Sequence, residues 1–354
     1  MDTIQFHEEQ AGAAHHVAVC GARDRGRCAE LFCIEDDYTD GWRTPDTVLL
    51  LHGIAERAET WRAWVPQLAR RYRVLRPDLR GFGRSSALPA GFTIADWADD
   101  IVQMIATLER TRVHLVATKL GALIAFELAQ RQPQWVASMT LAGMLPSPNK
   151  ALGPWIDDWL AMVEGESGSE GKGKLNGRLK RSGTDGGEDG AGGVERWARE
   201  TMPGRMGSAL SPAAMQWWTR AMATAPAASV AACFRLLPGI DGPSCPERVQ
   251  CPTLFIAAGA PIVADRSSYD QRPAAADLQR LRERVAGSSW VEVPADSYHI
   301  AATHPDDCAR EALAFIERVD EAQAAAIEEA GGAASIAMNG AAARPAIETN
   351  RPAP

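Results

Sequence analysis

Several features that would assign this sequence to a common class of protein are missing from it. The 354 residues contain no apolar run of the ~20 residues that a membrane-spanning helix needs. The formal net charge is −8, so the sequence offers no basic surface for nucleic acid or for an acidic membrane. We therefore expect neither nucleic acid nor a membrane as a partner.

The cysteines and histidines lack the spacings that mark metal sites. Neither the seven cysteines nor the seven histidines form a recognisable ligand pattern, and there is no C-x-x-C pair. An odd, scattered set of cysteines is typical of reduced thiols rather than of a secreted disulfide framework. Residues 1–14 have no basic start followed by an apolar core, which argues against a signal peptide. These absences predict a cytoplasmic protein that acts on a small molecule without a metal or cofactor; they are compatible with a homodimer.

Hydrophobic residues, in contrast, make up 46% of the chain, which is enough for a full core. Apolar strand-like runs occur near residues 15–20, 31–35, 47–51, 72–77, 113–116, 136–141, 253–257 and 290–293. Helical periodicity appears between several of them, for example over 93–108 and 120–131. Apolar strands that alternate with amphipathic helices predict an α/β fold with a mostly parallel, doubly wound sheet.

The alternation stops over residues 146–237, where only helical segments are predicted. We expect this stretch to form a helical cap between two parts of the α/β core, residues 1–145 and 238–320. Eleven of the 31 glycines fall in residues 165–193, so a flexible insertion is expected at about 164–193. Residues 321–354 are rich in Ala, Gly and Pro and are predicted to be a disordered tail. The chain has 11 tryptophans, several near its middle, which could line a pocket or fill the cap interior.

Three short segments have a distinctive order and spacing. They read LLLHGI at 49–54, RPDLRGFGRS at 76–85 and PADSYH at 294–299. Together they resemble landmarks of the α/β-hydrolase superfamily, in particular its lidded branch of enol-lactonases and C–C bond hydrolases. The resemblance implies that the loop at His52 and Gly53 builds half of an oxyanion hole, with Ile54 supplying a backbone N–H. It also implies that Asp78 and Arg80 brace neighbouring loops and that His299 is the catalytic histidine.

A fourth landmark of that superfamily is the nucleophile elbow, G-x-S-x-G, between a strand and a helix. The matching segment reads VHLVATKLGA at 113–122. Ala117 and Gly121 are small, as the sharp turn requires, and by the resemblance Leu120 supplies the second oxyanion N–H. The apex, however, is Lys119 where the superfamily has its nucleophilic serine.

The acid of the expected triad is also absent from its usual place after the strand at 253–257. The nearest acids are Asp265 and Asp270, and Asp265 is assigned as the partner of His299 because it lies closer to the strand end. Glu56 and Glu59 follow the His-Gly segment. They either meet Lys119 or are solvated loop charges.

A lysine at the apex leaves three roles open. It can form a Schiff base with a carbonyl substrate if its pKa falls far enough, which a nearby glutamate would oppose. It can act as a fixed cation that binds a carboxylate or stabilises an enolate, with His299 as general acid–base. It can also mark a protein that has lost catalysis. The sequence predicts an enzyme, a hydrolase or lyase, acting on an ester, lactone or β-dicarbonyl; the alternative is a non-catalytic ligand-binding or interaction protein.

Overall fold

The main element of the structure is an eight-stranded sheet. The structure is a computed structural model, and it describes residues 12–24, 26–110, 112–165, 192–259 and 272–340. Of residues 330–340 the backbone alone is described. The strands are β1 (Ala13–Val19), β2 (Ala29–Asp36), β3 (Thr47–Leu51), β4 (Arg73–Pro77), β5 (Val113–Ala117), β6 (Val136–Ala142), β7 (Thr253–Ala258) and β8 (Ser289–Val293).

The strand order is β1-β2-β4-β3-β5-β6-β7-β8. β2 runs antiparallel to β1 and to β4, whereas β4, β3, β5, β6, β7 and β8 are parallel neighbours. Every residue of β3, β5 and β6 is buried, as in a parallel sheet covered on both faces. The predicted α/β class with a mostly parallel sheet is confirmed.

Ten α-helices are described. They are α1 (Val65–Leu68), α2 (Ile94–Thr107), α3 (Lys119–Arg131), α4 (Pro148–Glu164), α5 (Gly193–Arg205), α6 (Pro212–Ala223), α7 (Ala227–Leu236), α8 (Ala275–Arg284), α9 (Ile300–Thr303) and α10 (Pro305–Gly340). α2 begins with a capping box, in which Thr93 and Asp96 each accept a hydrogen bond from the other's backbone N–H.

Helices α4 to α7 lie between β6 and β7 and are called here the helical insertion, residues 148–236. Their aromatic side chains pack together: the Trp159 and Trp197 rings lie 6.0 Å apart, and Phe234 is 5.7 and 5.4 Å from them. Most of the predicted flexible segment at 164–193 lies outside the described residues. In the described part of the chain no single helix could cross a membrane; α6 followed by Ala227–Gly239 would qualify only as a bent pair, by length and composition.

The C-terminal region differs from its prediction. Residues from Ala314 onward form a unit of their own, and within it α10 continues to Gly340. Residues 321–340 are therefore helical and not a disordered tail. Alanine has the highest intrinsic helix propensity, so an Ala-rich segment can be helical without a sustained apolar stripe. Residues 341–354 lie outside the description.

The cysteine interpretation also needs correction. Cys20 and Cys28 form a disulfide across the connection between β1 and β2, so the thiols are not all reduced. Cys33, Cys233, Cys245, Cys251 and Cys308 are free. Because the argument for a reducing compartment relied on scattered thiols, the disulfide weakens it, and the cytoplasmic location stays a prediction.

The turn after β4 has the predicted bracing role. The Asp78 carboxylate accepts hydrogen bonds from the backbone N–H of Ala58 (2.7 Å) and of Arg84 (2.8 Å). Gly83 has φ +55°, and a Cβ there would lie 2.2 Å from the Asp78 carboxylate, so the turn requires glycine. Arg80 makes a bidentate pair with Asp100 at 2.7 and 2.8 Å. This turn holds the strand ends that carry the candidate site.

Candidate active site

The connection from β5 to α3 is a sharp strand–turn–helix with Lys119 at its tip. Lys119 has φ +53°, a left-handed backbone conformation that residues other than glycine rarely adopt. Gly121 donates its N–H to the His52 carbonyl at 3.0 Å, and a Cβ at Gly121 would lie 2.2 Å from the Leu51 carbonyl oxygen. The glycine is therefore needed for α3 to approach the end of β3, as the elbow interpretation requires.

The Lys119 side chain lies over the loop that follows β3. Its Nζ donates to Glu56 Oε1, and Glu56 Oε2 accepts the backbone N–H of Gly53 at 2.8 Å. A Cβ at Gly53 would lie 2.8 Å from Lys119 Cδ, so this glycine makes room for the lysine stem. Glu56 thus meets Lys119, whereas Glu59 pairs with Arg84 and Arg57. Of the two open interpretations of Glu56, the structure supports the contact with Lys119.

Burial and pairing compete in setting the charges of this pair. Burial raises the pKa of Glu56, but the Lys119 ammonium and the Gly53 N–H outweigh it, so the pKa is lowered and the carboxylate stays ionised. Burial lowers the pKa of Lys119; Glu56 opposes this shift, and the Arg205 charge adds to it. Lys119 therefore loses its proton at a lower pH than a solvent-exposed lysine does.

His52 is held entirely by backbone groups. Its Nε2 accepts the Leu79 N–H at 2.9 Å, which places the ring proton on Nδ1, where it is donated to the Gly53 carbonyl at 2.7 Å. Burial lowers the pKa of His52, which favours this neutral form. His52 consequently fixes the loop after β3 to the turn after β4. These hydrogen bonds make His52 a support of the predicted oxyanion loop, and a contact of His52 with substrate stays a prediction.

A pocket with a cavity volume of about 50 Å³ opens above the Lys119 turn. Its floor includes Ile54 and Leu120, the two residues predicted to supply oxyanion N–H groups. That role of their N–H groups stays a prediction. Apolar side chains of the helical insertion form much of the opposite wall, among them Leu152, Trp159, Trp197, Met222 and Phe234. Mid-chain tryptophans thus both fill the insertion and line the pocket.

His299 lines the same pocket as Lys119. It lies in the loop after β8, at the N-cap of α9, and its backbone N–H donates to Ser297 Oγ at 3.1 Å. Burial, followed by the positive charges of Lys119 and Arg205, lowers the pKa of His299 well below its ordinary value. The imidazole is therefore neutral near neutral pH and has a lone pair that can accept a proton. Its proposed partner Asp265 and the alternative Asp270 lie outside the described residues.

Arg205 is a pocket residue that the sequence did not reveal. It ends α5, is 6% exposed, and its guanidinium lies 4.5 Å from the Trp197 ring centre and 5.4 Å from that of Trp159. Its Nη2 donates to the Met202 sulfur at 2.7 Å. An arginine in the last turn of a helix is ordinarily a solvated charge near the carbonyl end, so no local pattern distinguished this one.

Comparisons with known proteins agree with this geometry. Residues 46–168 match the sequence profile described as alpha/beta hydrolase fold. A hydrolase from Pseudomonas aeruginosa superposes with a TM-score of 0.64 at 22% identity, over 85% of this chain and 98% of that one. The enol-lactonase of Burkholderia xenovorans gives 0.64 at 17% identity, over 82% and 97%. The chain has the α/β-hydrolase fold.

Within the α/β-hydrolase fold, sequence similarity to curated proteins is confined to part of the chain. The putative carbamate hydrolase RutD of Variovorax paradoxus is 37% identical over 121 residues, which are 34% of this chain and 46% of that protein. The chain spans less than half the length of this and other curated relatives that it matches. These relatives therefore support the fold, while activity and substrate are matters for proposal.

Proposed function

We propose that this chain is an enzyme that hydrolyses a small carbonyl compound, an ester, lactone or β-dicarbonyl, with Lys119 in place of the serine nucleophile. The observation that carries the proposal is that Lys119, which Glu56 contacts at the tip of the elbow, and a buried neutral His299 line the same pocket. Two of the similar proteins reported above are named hydrolases, which supports hydrolysis over lyase chemistry.

Lys119 acts in this proposal as a fixed cation. Glu56 accepts a hydrogen bond from Nζ and remains ionised, which opposes the loss of the lysine proton that a Schiff base requires. An ammonium at the elbow can stabilise the oxyanion that develops when a carbonyl is attacked, beside the N–H groups of Ile54 and Leu120. Removing one such stabilising group in comparable enzymes costs about 2.7–4 kcal/mol of transition-state stabilisation.

His299 supplies the proton transfers. Its neutral ring accepts a proton from a water molecule whose oxygen forms a bond to the substrate carbonyl carbon, and the carbonyl oxygen becomes the oxyanion. Collapse of the tetrahedral intermediate breaks the bond to the leaving group, which takes the proton back from His299. The products are a carboxylic acid and an alcohol, enol or carbon acid. General acid–base catalysis of this kind contributes about 10²–10⁴-fold in rate.

A non-catalytic ligand-binding protein is the second candidate. The observation in its favour is that Glu56 already takes both the Lys119 ammonium and the Gly53 N–H, so part of the elbow is occupied by the chain itself. A binding protein would hold carbonyl ligands in the pocket without turning them over.

Proton release from a panel of esters, lactones and β-dicarbonyls tests the proposal. We expect turnover by the wild type, a loss of about 10²-fold or more in Lys119→Ala and His299→Ala, and no loss in Lys150→Ala or His16→Ala, which replace exposed residues. Borohydride trapping followed by mass spectrometry should give no adduct on Lys119; an adduct would establish Schiff-base chemistry instead. Binding without turnover of any substrate would identify the non-catalytic alternative.

Replacing the apex by serine gives a complementary test. Lys119→Ser restores the nucleophile of the superfamily but leaves Glu56 beside it, so we expect weak activity on activated esters. The double variant Lys119→Ser with Glu56→Ala should be more active, because no unpaired buried carboxylate then repels the oxyanion that develops in the reaction. Equal activity of the two variants would show that Glu56 does not obstruct the oxyanion region.

A further inference from the structure

We propose that the Cys20–Cys28 disulfide is a site of thiol–disulfide exchange that controls how firmly the loops beside the pocket are held. The co-substrate is a small thiol, and the part of the fold that responds first is the turn after β4. The inference goes beyond the proposed function, because it concerns the oxidation state of the chain and can be measured without turnover.

Exposure and charge make this disulfide open to exchange. Both cysteines are exposed, at the end of the hairpin that β1 and β2 form. The segment between them reads GARDRGR and carries three arginines against one aspartate, in a chain whose net charge is −8. Such a segment attracts an anionic thiolate and stabilises a departing cysteine thiolate. Arg27 directly precedes Cys28, which makes the Cys28 sulfur the better leaving group.

The exchange is a two-electron reduction of the disulfide. A thiol gives up its proton to water, its thiolate attacks Cys20 Sγ, the S–S bond breaks, and Cys28 leaves as a thiolate that takes up a proton. A second thiol group then displaces the Cys20 sulfur from the mixed disulfide in the same way. The two cysteines end as thiols, and the attacking thiols are oxidised to a disulfide. The reverse reaction with a small disulfide closes the bond again.

Asp24 is the residue through which the segment between the cysteines reaches the turn after β4. One oxygen of its carboxylate accepts an N–H of the same segment at 2.7 Å, and the other accepts a hydrogen bond from Arg80 Nη1. Arg80 is 1% exposed, and its Nε and Nη2 donate to Asp100. The strand pairing extends to Val19 and Ala29, so opening the disulfide frees Asp24 without separating the strands. The buried guanidinium then loses one of its two charge-assisted partners.

The turn after β4 transmits this loss toward the pocket. Leu79, next to Arg80, donates its N–H to His52 Nε2 at 2.9 Å. His52 Nδ1 donates to the Gly53 carbonyl at 2.7 Å, and the Gly53 N–H donates to Glu56, which lines the pocket. A less firmly held Arg80 lets these hydrogen bonds open more often. The oxidised protein therefore holds the loop after β3 more firmly than the reduced protein does.

Hydrogen exchange followed by mass spectrometry tests the inference on the full chain, with dithiothreitol as the thiol. Thiol labelling confirms the state of both cysteines before the oxidised and reduced proteins are compared. We expect the N–H groups of residues 78–84 to exchange about 3- to 10-fold faster after reduction, and those of residues 52–56 about 2- to 3-fold faster. Strand β6 should exchange equally in both forms. Cys245→Ser, which removes a free cysteine outside the hairpin, should respond as the wild type does.

Asp24→Asn separates the route through Arg80 from the loss of the cross-link itself. In its oxidised form, residues 78–84 should already exchange as fast as in the reduced wild type, and dithiothreitol should add less than about 2-fold. Asp241→Asn is the matched control, since Asp241 is an exposed aspartate; it should keep the full response.

Equal exchange at residues 78–84 in the oxidised and reduced wild type would overturn the inference, even if no variant folds. So would a disulfide that dithiothreitol leaves intact in the folded protein, or a full response to dithiothreitol in folded Asp24→Asn. If the exchange responds as expected but no carbonyl compound is hydrolysed, the inference stands and the proposed function fails.

Discussion

Two buried ion pairs, one within the sheet and one at the pocket, are built differently. Between β2 and β4, Arg76 holds Asp36 through Nε (2.7 Å) and Nη2 (3.1 Å), and its Nη1 donates to the Ala58 carbonyl at 3.0 Å. At the pocket, Lys119 meets Glu56 through a single ammonium. The first pair is a rigid fork whose donors are used by the fold. The second is a point charge on a flexible stem, and an ammonium has further donors to offer a ligand.

From this difference we expect the Arg76–Asp36 pair to serve stability and the Lys119–Glu56 pair to serve the proposed reaction. A fully satisfied, bidentate pair fixes the register of two strands. A pair that leaves donors for a ligand contributes less to the fold than it could, as is common at functional sites. Mutations of the two pairs should therefore separate stability from activity.

The largest expected effect is that of Arg76→Met. It leaves the fully buried Asp36 carboxylate without its fork, and we expect the free energy of unfolding to fall by about 3–5 kcal/mol. Urea unfolding followed by circular dichroism measures the change. Arg199→Met should change it by no more than about 0.5 kcal/mol. A loss below about 1 kcal/mol in Arg76→Met would contradict the structural role of this pair.

The Lys119–Glu56 pair should contribute less to stability than the Arg76–Asp36 pair does, and a double-mutant cycle measures its coupling energy. Lys119→Met leaves Glu56 with the Gly53 N–H as a remaining donor, and Lys119→Met with Glu56→Gln removes the buried charge altogether. We expect a coupling energy of about 1–3 kcal/mol, with the double variant more stable than Lys119→Met alone. Additive effects of the two substitutions would show that the residues do not stabilise each other.

Mild acid should lower the stability of the protein through two buried histidines, His299 and His52. The folded-state pKa values of His299 and His52 are lowered, so the unfolded chain binds more protons below pH ~6.5 and stability falls as the pH drops below that value. Each group can contribute a slope of up to about 1.4 kcal/mol per pH unit. We expect His299→Gln to flatten the decline between about pH 6.5 and 5.5, and His16→Gln to leave it unchanged. An unaltered slope in His299→Gln would mean that His299 takes up its proton without unfolding.

The smallest effect concerns backbone conformation. Glu109 and Lys119 both have left-handed φ values, +55° and +53°, but Glu109 is exposed after α2 whereas Lys119 lies at the pocket. Glu109→Gly should raise the free energy of unfolding by up to about 1 kcal/mol and leave activity unchanged. Lys119→Gly relieves the same strain but should abolish activity. A stability loss in Glu109→Gly would show that its side chain compensates for the strained backbone.

The sequence predicted the sheet and the elbow because local signals determine them. The runs at 47–51 and 113–116 are short and mostly apolar, which favours buried strands over helices. The sharp turn at the elbow requires a small residue, which identifies Gly121. The disulfide was missed although a signal existed. Once β1 and β2 pair with Val19 opposite Ala29, Cys20 lies opposite Cys28 in the same register. The number of cysteines does not show this pairing, whereas their positions in the hairpin do.

Glu56 and Arg205 could not be assigned from local patterns. Glu56 was one of two loop acids, and its choice over Glu59 depends on how the loop after β3 folds against Lys119. The position of Arg205 in the pocket depends on how α5 packs against the tryptophans of the insertion, and no short-range periodicity predicts that packing. Catalytic roles for Lys119 and His299 stay predictions, because a position in a pocket does not by itself show a reaction.

The pocket residues come from distant parts of the sequence, which determines the order in which their contacts can form during synthesis. Glu56 and Lys119 are 63 residues apart, and the hydrogen bond that Ser297 Oγ donates to the Arg205 carbonyl spans 92 residues. During synthesis from the N-terminus, the first pair can form while most of the chain is still to come. The second must wait for the edge strand β8, and contacts of such long range form slowly. A nascent or truncated chain would therefore lack Tyr298 and His299 in the pocket lining until β8 and the loop after it are made.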